Sequence, residues 1–324
     1  MDHLLRCAGR CVLLALLASC CGWAQAAQDE PAPRPATLAS LGLPPDQTVA
    51  LMQAENARDY HAAERLLLDA INRDPRSPHA ARLLAYAGSV YFLDRDYVNA
   101  AIAWKKSEAI VPLQPALEFS LAMAYIRMGH GDWARKVLQT LAAQDEKQAL
   151  YPYWLGRLDY DGHQYADAIG HFQRAIALAP EMARAYDNLG LCYYFQNQNA
   201  LAVENFNRAI ELGRKTEKPS PWPYLNLAIT QQFLNQLGEA EANLRQAIRL
   251  DPGFAKAHFQ LGSVLEDAKK PEAALEELHE AARLEPAYPE PHMAMARIYR
   301  KLGQEAAARD EVESYRKLHP PSTP

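Results

Sequence analysis

The chain has 324 residues, 49% of them hydrophobic and 23% charged, so it has the material for a buried core and is not disordered by composition. Its 57 alanines outnumber 15 glycines and favour helix over sheet. With 34 Lys and Arg against 39 Asp and Glu, the net charge is −5, which argues against a nucleic-acid partner, since that would need a basic face.

The first element in chain order, 1–27, reads as an export signal. Arg6 and Arg10 precede an apolar run over 11–18, and small residues follow. That run is shorter than the roughly 20 residues needed to span a membrane. Two processing sites compete. Ala24-Gln25-Ala26 has the small-x-small pattern of signal cleavage, which would start the mature chain at Ala27 or Gln28. Leu17-Ala18-Ser19-Cys20 matches a bacterial lipobox, which would make Cys20 a lipidated first residue and anchor the body to a membrane. Cys7, Cys11, Cys20 and Cys21 all lie in this leader. Cys192, alone in the body, can form no internal disulfide and is expected to be a buried, inert thiol. Residues 28–43, with Pro31, Pro33 and Pro35, read as a tether in which Leu38, Leu41 and Leu43 are the apolar groups.

Beyond it the chain repeats. Pro252, Pro286 and Pro320 stand 34 residues apart, and alignment on them divides 44–320 into eight units: 44–80, 81–114, 115–148, 149–182, 183–220, 221–254, 255–288 and 289–320. One column reads Ala63, Ala100, Ala134, Ala168, Ala202, Ala240, Ala274 and Ala308. A second is small in seven of eight units: Leu51, Gly88, Ala122, Gly156, Gly190, Ala228, Gly262 and Ala296. A third is large: Leu67, Trp104, Leu138, Phe172, Phe206, Leu244, Leu278 and Val312. The pattern predicts two short helices per unit, crossing closely where the first carries its small residue and the second its large one. No unit could bury its apolar face alone, so neighbours must stack. Leu51 makes the first unit irregular, either a cap or half formed. The third unit has Glu146 in place of the closing proline, and a lengthened connection over 213–220 separates the fifth and sixth. The final helix, 305–318, is polar enough to serve as a cap.

The spacing of Leu155-Gly156, Tyr165, Ala168, Phe172, Ala175 and Pro180 resembles the tetratricopeptide repeat. Leu189-Gly190, Tyr193, Ala202, Phe206 and Ala209 follow the same pattern, as do Leu261-Gly262, Ala274, Ala281 and Pro286. The resemblance covers roughly 44–320 and implies an all-α, right-handed solenoid of antiparallel helix pairs, with the first helix of each pair on the concave wall. Candidate partner-binding residues on that wall are Tyr86, Phe92, Phe119 and Met123; Tyr153, Arg157 and Tyr160; Asn188, Leu191 and Tyr194; and Trp222, Asn226, Ile229 and Phe233. Aromatic rings supply contact area at low entropic cost and amides can pair with a peptide backbone. Asn188 and Asn226 occupy equivalent places, where family members carry a peptide-binding asparagine ladder. Their alternative role is hydrogen bonding within the stack. Asp187 and Leu191 stand where a carboxylate clamp would need Lys and Asn. Further on, Lys256, Glu266, Asp267, Arg297, Arg300 and Lys301 make a charged surface.

No Gly-x-Gly-x-x-Gly, Gly-Lys-Ser/Thr, His-Glu-x-x-His or Gly-x-Ser-x-Gly motif occurs in the sequence. The histidines of the body are scattered and read as solvated polar face, so neither metal, cofactor nor catalytic residue is expected. The sequence therefore suggests a non-catalytic scaffold that holds a protein or peptide in a bacterial envelope or outside the cell. The alternative is a structural or self-associating protein whose groove is filled by its own tether or by a second copy.

Overall fold

The computed structural model describes residues 38–319, and every regular element among them is helical. The export signal, Cys20 and most of the proline-rich segment lie outside the described residues. The chain divides between Gly162 and His163 into two compact units.

The first unit opens with a 3-10 helix, Leu38–Leu41, followed by α1 (Pro45–Asn56), α2 (Tyr60–Ile71), α3 (Pro78–Leu93), α4 (Tyr97–Glu108), α5 (Pro115–Arg127), α6 (Gly131–Gln144) and α7 (Leu150–Asp161). Both helices of the first repeat are formed, with Leu51 and Leu67 fully buried. Leu41 is fully buried in the same cluster, and Leu38 and Leu43 pack against it. These leucines therefore belong to the first repeat, which shortens the expected tether at its C-terminal end.

The second unit contains α8 (Tyr165–Leu178), α9 (Ala183–Phe195), α10 (Asn199–Gly213), α11 (Trp222–Phe233), α12 (Leu237–Leu250), α13 (Ala255–Asp267), α14 (Pro271–Leu284), α15 (Glu290–Lys301) and α16 (Glu305–Leu318). The long connection after α10 does not interrupt the packing. Arg214 Nε donates to Tyr224 Oη across it at 3.0 Å. In α16 only Ala308 is fully enclosed, and the charged groups are exposed apart from Glu311, which reaches back to His292 of α15 at 2.7 Å.

Two local devices build the helix pairs within each unit. The turn between the helices has a residue of positive φ: Arg58, Arg95 and Gly129 in the first unit, Asn197, Asn235, Lys269 and Gly303 in the second. Around Arg95, the Asp96 N–H donates to Tyr91 O at 2.9 Å and the Arg95 N–H to Phe92 O at 3.1 Å, which is how a left-handed residue closes a helix. Asp59 and Asp96 then cap the helices that follow, accepting from Ala62 N at 3.0 Å and Asn99 N at 3.1 Å.

The second device is reciprocal volume. A Cβ added at Gly88 would lie 2.5 Å from the Trp104 ring, at Gly190 2.6 Å from Phe206, and at Gly262 2.7 Å from Leu278. Absence of a side chain on one helix is the space the large group of the other fills. Trp104 Nε1 also donates to Ala85 O at 3.0 Å, and Ser107 Oγ to Ala81 O at 2.8 Å, so the polar atoms at this crossing are satisfied. The alanine column is buried throughout, from Ala63 to Ala308. Where the third repeat lacks its proline, Asp145 shapes the connection by accepting from Lys147 N at 3.0 Å. Cys192 is fully buried in α9 and forms no disulfide.

Candidate functional site

In the second unit the first helices of successive repeats touch directly, α9 with α11, α11 with α13 and α13 with α15. Their shared side is a continuous wall whose chemistry changes along the chain. At the α9–α11 end it is aromatic. The rings of Tyr194 and Phe233 meet edge to face at 6.3 Å, Tyr194 packs on Phe195 at 5.6 Å, and Phe195 stacks on Tyr165 at 5.0 Å. Phe233 is 49% exposed and Leu234 beside it 41%. The ring of Trp222 leans on Phe254 at 4.7 Å and carries the Lys256 ammonium over its face at 5.3 Å.

The middle of the wall is polar. Gln232 Nε2 donates to Ser263 Oγ at 3.1 Å and to Asp267 Oδ2 at 2.6 Å, joining α11 to α13, while Gln260 donates to Gln232. Glu266 then accepts from Arg297 Nε at 2.9 Å and Lys301 Nζ at 2.7 Å, joining α13 to α15. Burial pushes the Glu266 carboxyl up, but the hydrogen bonds from the two cations outweigh it and hold the group below the ordinary carboxylate range. Arg300 and Lys301 extend this cationic end and are exposed.

The expected candidates separate sharply by depth. Leu191, Tyr194, Trp222 and Ile229 are half-buried and Phe233 is exposed, all on the second unit's wall. The other nine do not present a free surface, which corrects their reading as an open wall. Asn188 Nδ2 donates to Arg184 O of its own helix at 2.7 Å, and Asn226 Nδ2 turns inward to Asp187 Oδ1 at 3.0 Å. Their amides are committed to the stack, and the structural alternative for this pair is the one observed.

In the first unit Tyr86 is buried and its hydroxyl donates to Glu55 of the preceding repeat. Burial, then that hydrogen bond, push the phenol far above its usual range. Phe92 packs between Tyr97 at 5.3 Å and Trp104 at 5.9 Å, and Phe119 against Tyr151 at 5.9 Å. Met123, Tyr153 and Tyr160 are each no more than 3% exposed. Arg157 is equally enclosed, with its guanidinium 5.8 Å from the Tyr160 ring and 3.5 Å from Asp161 Oδ1. These nine side chains are buried within the stack.

Gln232 and Ser263 belong to the wall and were missed in the sequence. Gln232 occupies the repeat position of Tyr194, and Ser263 that of Leu191 and Ile229, so register alone could have found them. Among the described residues no helix is long and apolar enough to cross a membrane.

Family models described as tetratricopeptide repeat match this chain at residues 53–115 and 225–290, at 148–215 and 181–252, and at 265–324. Sperm-associated antigen 1 of Homo sapiens is 28% identical over 103 residues, a match taking in 29% of this chain and 11% of that protein. Among solved structures, the APC/C hetero-tetramer Cut9–Hcn1 superposes with a TM-score of 0.60 at 21% identity, covering 76% of this chain and 48% of that one. PilW, a widely conserved type IV pilus biogenesis factor, gives 0.59 at 20% identity over 64% of this chain and 94% of its own. Yeast Tom70 gives 0.55 at 18% identity, over 82% and 57%. At these identities the structural likeness is one of fold. The chain spans about a tenth of the length of the human relative and about half of the Cut9–Hcn1 chain.

Proposed function

Because the chain belongs to the tetratricopeptide-repeat family, we propose that it is a non-catalytic scaffold holding a peptide or partner protein against the wall formed by α9, α11, α13 and α15. The fold is one suited to protein–protein interaction, because stacked helix pairs display long, rigid surfaces. The observation that carries the assignment to this wall is the exposure of Phe233 and Leu234 beside half-buried Tyr194. An aromatic edge next to a polar, hydrogen-bonded stretch offers a partner both contact area and polar groups at its rim. Binding is an equilibrium in which several modest contacts from adjacent repeats add, so it is sensitive to the spacing between helices.

The place of action, in this proposal, is a bacterial envelope or the space beyond it. Its support is the sequence over 1–27, with either release after Ala26 or lipidation of Cys20. The reading in which the groove is filled by the chain's own tether loses its motivating groups, since Leu38, Leu41 and Leu43 pack on the first repeat. Filling by a second copy is checked by light scattering on the mature protein.

The decisive experiment places a photo-crosslinking amino acid at position 233 and, separately, at position 68, where Leu68 is 40% exposed on α2. After irradiation of intact envelopes, position 233 should trap a discrete partner that position 68 does not. Equal trapping from both positions, or none from 233, rejects this wall as the binding site.

A further inference from the structure

Away from the wall, His61, Glu64 and Asp94 converge from two repeats of the first unit. His61 and Glu64 lie one turn apart near the start of α2, and Asp94 is the residue that ends α3. One ligand atom from each lies within 4.8 Å of the other two, with His61 Nδ1 3.4 Å from Glu64 Oε2. We propose that these three side chains form a binding site for a divalent transition metal of the zinc class.

The donor set carries the choice of metal. One imidazole with two carboxylates suits a borderline cation such as zinc, whereas calcium and magnesium prefer an all-oxygen shell of six or more ligands. Three protein ligands leave room for water in the remaining position. The His61 side chain is 77% exposed while that of Glu64 is only 14% exposed, so the imidazole is free to adjust around a carboxylate that is held by its surroundings.

Two of the three converging groups are carboxylates, and a divalent cation between them would offset their mutual repulsion. Because α2 belongs to the first repeat and α3 to the second, the metal would also staple the two repeats together.

Isothermal titration of zinc chloride into the tag-free chain tests this, alongside His61→Ala and Asp94→Asn, with magnesium and calcium chloride as comparison titrants. The wild type should bind zinc, and each variant should weaken binding by at least about 10-fold while keeping its helical circular dichroism. Zinc should raise the melting temperature of the wild type and leave that of both variants unchanged. Three outcomes overturn the proposal: no zinc binding by the wild type, unchanged affinity in the two variants, or magnesium or calcium binding as tightly as zinc with His61→Ala silent.

Discussion

Gly190→Ala should destabilise the second unit by about 1–2 kcal/mol, although alanine is the better helix former by about 1 kcal/mol. The added Cβ would stand 2.6 and 2.8 Å from two carbons of the Phe206 ring and 3.1 Å from a third, against an ordinary carbon–carbon contact of roughly 3.5–4.0 Å. Phe206 is fully buried, so its ring can retreat only by moving its neighbours, and overpacking of that kind costs about 1–3 kcal/mol. Gly170 in α8 is the control. A Cβ there meets nothing within 4 Å, so Gly170→Ala should stabilise by about 1 kcal/mol. Adding Phe206→Leu to Gly190→Ala recreates the Ala228 and Leu244 combination of the next repeat and should recover much of the loss, giving a coupling energy of about 1 kcal/mol or more. Urea unfolding followed by circular dichroism measures wild type, the three single variants Gly190→Ala, Phe206→Leu and Gly170→Ala, and the double variant, with midpoint and slope compared because repeat arrays can depart from two-state behaviour. The packing argument fails if Gly190→Ala stabilises as much as Gly170→Ala does, or if the two substitutions at 190 and 206 simply add.

Arg95 is held at φ 63°, a region that strains any residue with a Cβ, so Arg95→Gly should raise stability by about 0.5–1 kcal/mol in the same urea assay. The His258 imidazole is held above its ordinary value near 6.5 by its hydrogen bond with Glu277, against burial, which acts the other way. That pair's contribution is fully present below about pH 6.5 and disappears as pH rises through the elevated folded value. Comparing wild type with His258→Gln from pH 6 to 9 should therefore show a stability difference that shrinks with rising pH, and a constant difference would refute the assignment. Phe233→Ala should change stability by less than about 0.5 kcal/mol yet abolish trapping of a partner by a crosslinker placed at Tyr194, read by gel shift. Cys192 should resist a thiol reagent in the native protein and react at the rate of unfolding, which timed labelling in urea would establish.

The helix pairs were legible because their signal is steric and repeats within each unit. Small residues such as Gly190 and Ala228 face large ones such as Phe206 and Leu244 at a constant offset. The turns were only partly legible. Glycine marks the left-handed position at Gly129 and Gly303, but Arg58, Arg95 and Lys269 adopt it without any signal of their own, imposed by the closure of the helix before them. The candidate wall was harder to read, since register tells which side of a helix a residue occupies and not how deeply its neighbours cover it. Tyr86 was expected to face a partner and instead reaches Glu55, 31 residues earlier. Phe233, another of the candidates, stays exposed because it ends α11, where no following turn covers the ring. His61, Glu64 and Asp94 escaped notice for a related reason: the third member comes from another repeat, so no short motif contains the cluster.

The matched volumes at each crossing also limit how such a chain can be recombined. A crossover placed in the turn within a repeat would join the first helix of one couple to the second helix of another. Ala228 would then meet Phe206 and clash. A crossover in the connection between repeats transfers each couple whole. Shuffled libraries built from this chain should therefore yield folded offspring mainly from breakpoints such as 179–182 or 251–254, so that the inheritable module is the couple rather than the helix.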